Sequence, residues 1–317
     1  MHGHSQGQHS HSHEPGAPGD FGRAFLIAIG LNIAFTVIEF SYGFLAHSTA
    51  LMADAGHNLS DVLGLGLAWG GVVLARRLPD SRFTYGLRGS TILAALGNAM
   101  FLMLACGAIA WDAVNNLFDS PPVATTTVMV VAAIGIVVNG VSAALFVKGS
   151  RGDLNLRGAF LHLAADAGVS LGVVVAGAAI LFTGWNWLDP LVSLLIVVVI
   201  VYSTWGLLRE SLKLALNAVP AHIDLHEVEE HLRALAGVEA IHDLHVWAMS
   251  TTESALTVHL VMPQGLPGDA FMDHVAESLR HRFAIAHTTL QIEMGDSDHV
   301  CALHEQDVVS HSRFHSH

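Results

Sequence analysis

Histidine and aspartate stand four residues apart twice in this chain, as His57-Asn58-Leu59-Ser60-Asp61 and as His162-Leu163-Ala164-Ala165-Asp166. Both runs lie in apolar stretches of helix length. On an α-helix, positions i and i+4 sit one above the other, so each stretch presents an imidazole and a carboxylate toward one point. Ionisable groups inside a membrane span are costly and mark a substrate or ion path. Two such pairs give a four-donor nitrogen and oxygen set, which suits a tetrahedral divalent metal and points to zinc. A lone buried histidine is more simply an interhelical hydrogen-bonding group. Two pairs at equal spacing on two helices make that the poorer reading here.

The rest of the chain supplies membrane helices to carry them. Of 317 residues, 52% are hydrophobic and 13% charged, and the mean hydropathy of +0.50 marks an integral membrane protein. Six spans are expected, at residues 25–46, 49–74, 90–111, 123–147, 159–182 and 188–208, each long enough for the ~20 residues that cross a bilayer. The short connections at 46–48 and 183–186 make the helices they join antiparallel neighbours. All 14 Lys and Arg residues fall on one side of this arrangement, among them Arg76, Arg77, Arg82, Arg88, Lys148, Arg151 and Arg209. The positive-inside rule makes that side cytoplasmic, and both termini with it. At ~1.5 Å per residue, Asp61 lies about 18 Å from the outer end of span two and Asp166 roughly 11 Å from the inner end of span five. Both carboxylates are thus expected within a helical turn of the midplane of a core about 30 Å thick.

Residues 21–213 form the expected membrane domain. The stretch 1–20, with five histidines and no apolar run, reads as a disordered arm, and 296–317 as a second His-rich tail. Between them, 214–295 reads as a soluble α+β unit. An amphipathic helix at 224–236 is opened by Asp224 as N-cap. Strands follow at 240–249 and 255–262, then a helix at 268–283 and a third strand at 288–294. That α-β-β-α-β order predicts a small antiparallel sheet with both helices on one face. Cys106 and Cys301 are read as reduced thiols.

Asp54, one turn before His57, reads either as a group supporting the ligands or lining their access route, or as an interfacial aspartate. Glu39 and Asp112 are expected to make structural hydrogen bonds. Metal binds neutral imidazole and ionised carboxylate, so binding displaces protons; a site exposed alternately to the two sides would exchange metal for protons. The net charge of −13 lies largely after the last span, and no nucleic-acid partner is expected. No nucleophile–base pair or phosphate-cradling loop suggests an enzyme, and no cofactor is expected.

The run from His47 to Asp61 (His-Ser-Thr-Ala-Leu-Met-Ala-Asp-Ala-Gly-His-Asn-Leu-Ser-Asp) resembles the second-helix signature of the cation diffusion facilitators. Arg82-Phe83-Thr84-Tyr85-Gly86, the 162–166 segment, Asp189-Pro190, His242-Asp243-Leu244-His245-Val246-Trp247 and His287-Thr288-Thr289-Leu290-Gln291-Ile292-Glu293 are similar to the same family, most to its bacterial cobalt–zinc–cadmium resistance type. The resemblance implies a homodimer of six-helix protomers with a cytoplasmic ferredoxin-like domain. It also implies proton-coupled export of zinc, with cadmium or cobalt as further substrates, across the cell membrane. Carried over by motif, His242, His259 and Glu293, with His287, form a cytoplasmic regulatory zinc site; His245 reads equally as a ligand or a strand-face residue. Residues 76–89 contain no histidine, so a further metal site that some relatives carry there is expected to be missing. The Arg88-Gly89-Ser90-Thr91 stretch lacks the family's acidic partner for an interhelical charge pair. The competing readings are a membrane-anchored metal sensor and an antiporter of nickel or manganese, of which manganese fits the donor set less well.

Overall fold

A computed structural model of the chain describes residues 21–118, 122–147, 154–265 and 267–295. The His-rich segments and Cys301 lie outside the described residues. Six long helices come first: α1 (Phe21–Leu45), α2 (Thr49–Ala75), α3 (Ser90–Phe118), α4 (Thr125–Phe146), α5 (Leu154–Thr183) and α6 (Leu188–Ala215). Helices α2 to α6 are long and apolar enough to cross a membrane, and the Gly30–Leu45 part of α1 is apolar too. Several run past the expected span limits; α6, for example, continues to Ala215. Hydropathy marks where hydrocarbon ends, but backbone hydrogen bonding carries a helix on through Arg209 and Lys213.

The chain divides into two compact units, Met1–Val62 with Ala108–Val197 and Leu63–Gly107 with Val198–His317. In the first, the usual distribution of side chains is inverted. Val137, Val175, Phe182 and Leu195 are exposed, whereas Ser60, Asn139, Ser142 and Ser193 are completely buried. That suits a solvent of lipid, where apolar groups face outward and polar ones turn inside.

Close approach of helices in this unit relies on glycine. A Cβ on Gly135 of α4 would stand 2.7 Å from the Phe35 ring of α1 and 3.1 Å from Ser170 Oγ of α5. The start of α2 is fixed from another helix. Asp189, in the first turn of α6 and 3% exposed, accepts hydrogen bonds from Ser48 Oγ (2.5 Å), Thr49 Oγ1 (2.9 Å) and the Thr49 and Ala50 N–H groups (2.7 and 3.3 Å). The two N–H groups are orphan donors of the kind that every helix N-terminus leaves, here satisfied by a carboxylate that also complements the helix dipole. His47, in the left-handed region with φ 53, makes the sharp reversal from α1 into α2.

In the second unit, α6 is followed by α7 (Leu225–Arg233), β1 (Ala240–Ala248), β2 (Ser254–Val261), α8 (Asp269–Phe283) and β3 (Ile285–Glu293). Asp224 caps α7 as expected, accepting from the His226 and Glu227 N–H groups. Leu256, Val258 and Leu260 of β2 are buried with Val228, Leu232, Val275 and Leu279 of the two helices, while Thr257 and His259 face the other way. The sheet order is β1-β2-β3. The expected antiparallel sheet is corrected at one edge: β1 and β2 are antiparallel, but β3 runs parallel to β2. The α8 crossover carries the chain back before β3 begins, and a helical crossover joins parallel strands.

Arg88 meets an acid after all, though not on a helix: it pairs with Glu253 of the β1–β2 turn. Beside it the Thr251 N–H donates to Thr91 Oγ1 (3.1 Å).

Removing the Asp189 carboxylate leaves several buried donors without an acceptor. Asp189→Ala is therefore expected to lower stability by roughly 2–4 kcal/mol, read as a lower heat-denaturation midpoint in detergent. An unchanged midpoint would show that the cap contributes nothing.

Candidate metal sites

Helices α2 and α5 bring their two His/Asp pairs to one point in the first unit. His57 Nε2 lies 3.6 Å from Asp61 Oδ2 and 3.6 Å from Asp166 Oδ1. His162 Nε2 lies 3.1 Å from Asp61 Oδ2 and 3.6 Å from Asp166 Oδ2. The imidazoles meet edge to face, with centroids 6.0 Å apart. Donor atoms of His57, Asp61 and His162 all fall within 4.8 Å of one another. Four ligands held about 2.0–2.2 Å from a tetrahedral zinc stand roughly 3.3–3.6 Å apart, which is close to the spacing these side chains already have.

The site is asymmetric in its access. The Asp166 side chain is 5% exposed and His162 is 48% exposed, so the pocket is closed behind Asp166 and open beside His162. His57 Nδ1 is buried without a hydrogen-bond partner. A carboxylate oxygen facing an imidazole nitrogen needs a ring proton between them, on a neutral or a charged imidazole, or a cation in the middle.

A polar layer supports the donors. Asp54, fully buried, accepts a hydrogen bond from Ser170 (2.9 Å), which stands one turn after Asp166. Glu39 accepts from Asn58 Nδ2 (3.0 Å), the neighbour of His57. The hydrogen-bonding role expected of Glu39 is thus the geometry found. Asp54 is thus an interior group of the helix bundle. Ser170 was not singled out in the sequence, because a serine in an apolar helix carries no signal of its own.

The second unit holds another cluster, of His242, His259 and Glu293. Pairing places His242, His259 and Gln291 side by side across the three strands. Glu293 receives His242 Nε2 at 2.9 Å, His259 Nδ1 at 2.8 Å and Gln291 Nε2 at 2.8 Å. Partial desolvation pushes the Glu293 carboxyl upward, but hydrogen bonds from His242 and Gln291 and the nearby imidazoles outweigh it and hold it below its ordinary value.

His287 is not part of this cluster. It lies six residues earlier on β3, opposite Ala255, with its ring against Tyr85 at 5.6 Å. At ~3.3 Å per strand residue that is about 20 Å from Glu293. Asp243, which sequence reading passed over, comes close instead: its carboxylate is 3.5 Å from His259 Nε2 and 3.1 Å from His245 Nε2. Strict alternation would point it away from His242. A β-bulge between His242 and His245, with Asp243 in the left-handed region at φ 52, turns it back.

Apolar membrane helices enclosing a nitrogen and oxygen donor set, joined to a small α+β domain, define a membrane protein that handles divalent cations. The chain belongs to the cation efflux family: residues 25–214 match its transmembrane domain and residues 220–294 its cytoplasmic domain. It is 35% identical over 287 residues to the cation efflux system protein CzcD of Alcaligenes sp. (strain CT14), covering 90% of each chain. It is 31% identical over 312 residues to the cadmium, cobalt and zinc/H(+)-K(+) antiporter of Bacillus subtilis (strain 168), covering 97% of this chain and 99% of that one. With the zinc transporter ZitB of Escherichia coli (strain K12) the identity is 35% over 289 residues, 90% of this chain and 92% of the relative. The protein is thus a multi-pass cation transporter and not an enzyme.

If the cytoplasmic cluster holds metal, Glu293→Ala is expected to weaken zinc binding there by about tenfold or more, whereas His287→Ala leaves it unchanged. Calorimetric titration of both, in protein that also carries Asp61→Ala, separates this cluster from the membrane donors. Equal losses would return His287 to the site.

Proposed function

We propose that this protein exports zinc from the cytoplasm in exchange for protons, through the donor set of His57, Asp61, His162 and Asp166. The observation that carries the proposal is the convergence of two His/Asp pairs at 3.1–3.6 Å, the spacing of a tetrahedral site, inside membrane helices. Two imidazoles and two carboxylates without a thiolate suit zinc and cobalt, and favour both over manganese. The names of the relatives, which include cadmium, cobalt, zinc and H(+), support the same substrate class.

The exchange follows from the ligands. Facing imidazole and carboxylate groups need a proton or a metal between them. Ring protons meet that need on one side of the membrane, and the metal meets it on the other. Coupling is then a property of the site: zinc enters as ring protons leave. The protein works as a homodimer in the cell membrane, with both termini in the cytoplasm, as the one-sided placement of Lys and Arg supports. The cytoplasmic cluster of His242, His259 and Glu293 binds a regulatory zinc ion and responds to surplus metal.

Proteoliposomes carrying an internal zinc indicator and a pH dye test the reading. Wild-type protein is expected to take up zinc and release protons together, and Asp61→Ala to lose both while remaining folded and dimeric. Uptake that survives Asp61→Ala would move the transport path elsewhere. Zinc binding without uptake in either protein would favour a membrane-anchored sensor.

A further inference from the structure

The donor set leaves two buried carboxyl groups unexplained. Glu39 of α1 and Asp54 of α2 are both completely buried, and Asn58, which donates to Glu39, stands one turn after Asp54 on the same helix. Each has one oxygen satisfied, Glu39 Oε2 by Asn58 and Asp54 Oδ2 by Ser170. Each has another oxygen, Glu39 Oε1 and Asp54 Oδ1, buried without a partner. Two ionised carboxylates in that position would repel each other and leave two acceptors empty in a low-dielectric interior. One proton between them removes the repulsion and gives both acceptors their missing partner.

We propose that Glu39 and Asp54 form a proton-binding site, distinct from the four metal donors, that holds one proton and releases it when a divalent cation occupies the donor set. The inference rests on the zinc/proton reading above and deepens it. Position supports it: Asp54 is one turn before His57 on α2, and Ser170 is one turn after Asp166 on α5. The charged groups facing the pair are His57 on α2 and Asp166 on α5; Asn58 and Ser170 complete its surroundings. On the orientation proposed above, α2 runs inward and α5 outward, so the pair lies on the exterior side of the donors, where an incoming proton arrives first. The charges balance. Holding its proton, the pair carries one negative charge; a divalent ion one turn away stabilises the second, and the proton leaves. Any rearrangement of α2 and α5 that redirects the metal donors also moves Asp54 and Ser170.

A purely structural pair makes a different prediction. In Glu39→Gln the amide donates to Asp54 and still accepts from Asn58, so a structural hydrogen bond is preserved while the exchangeable proton is lost. Zinc-binding difference infrared spectra of the full-length protein read the proton directly. The wild type is expected to lose a protonated-carboxyl C=O band on zinc addition, and Glu39→Gln and Asp54→Asn to lack that band. Both variants should still bind zinc, and in proteoliposomes Glu39→Gln should lose the dependence of zinc uptake on the pH gradient. A wild-type spectrum without the band, or one that Glu39→Gln leaves unchanged, would overturn the proposal. The band present in a wild type that exchanges no protons for zinc would leave the acid pair standing and overturn the antiport reading instead.

Discussion

Imidazole nitrogens and carboxylate oxygens held 3.1–3.6 Å apart inside apolar helices need a ring proton or a cation between them. Nearly every other feature of the first unit serves that constraint. The donors come from two helices, so the site exists only while α2 and α5 keep their register. Water would screen the carboxylate charges, and lipid does not. On the proposed reading a proton and a metal compete for the same lone pairs, and exchange needs only that competition and a way to expose the donors to each side in turn.

Register is held by polar contacts that a membrane interior makes expensive to break. Asp189 fixes the start of α2 from the first turn of α6, using four hydrogen bonds at 2.5–3.3 Å. Ser170 ties α5 to α2 through Asp54, and Asn58 ties α2 to α1 through Glu39. Gly135 lets α4 come close enough to leave Ser170 where it is; a side chain there would meet Phe35 and Ser170 together. One layer of small and polar residues therefore sets the helix spacing and surrounds the donors, and the acid pair within it takes part in their charge balance.

Much of this was legible in the chain. Hydropathy placed six helices, and the i, i+4 spacing placed four donors on two faces, because both follow from local periodicity alone. What periodicity could not reach depended on tertiary contact. Asp189 stands 140 residues from the helix it caps, so nothing near it announces the role. The parallel edge of the sheet follows from how α8 crosses over, which strand alternation does not encode. Asp243 was hidden by a bulge that reverses the face of a single residue. His287 matched a family motif by sequence yet lies along β3 well away from Glu293, since a motif fixes order along the chain and not position on a strand.

X-ray absorption at the zinc edge tests the membrane site most directly. The sample is full-length protein carrying His259→Ala and Glu293→Ala, loaded with one zinc ion per chain. A four-coordinate zinc with two imidazole nitrogens and two carboxylate oxygens at about 2.0–2.2 Å is the expected result, with the imidazole signal lost in His57→Ala. A six-coordinate, largely aquated zinc, or a coordination sphere that His57→Ala leaves unchanged, would contradict the membrane site as the place where metal is held.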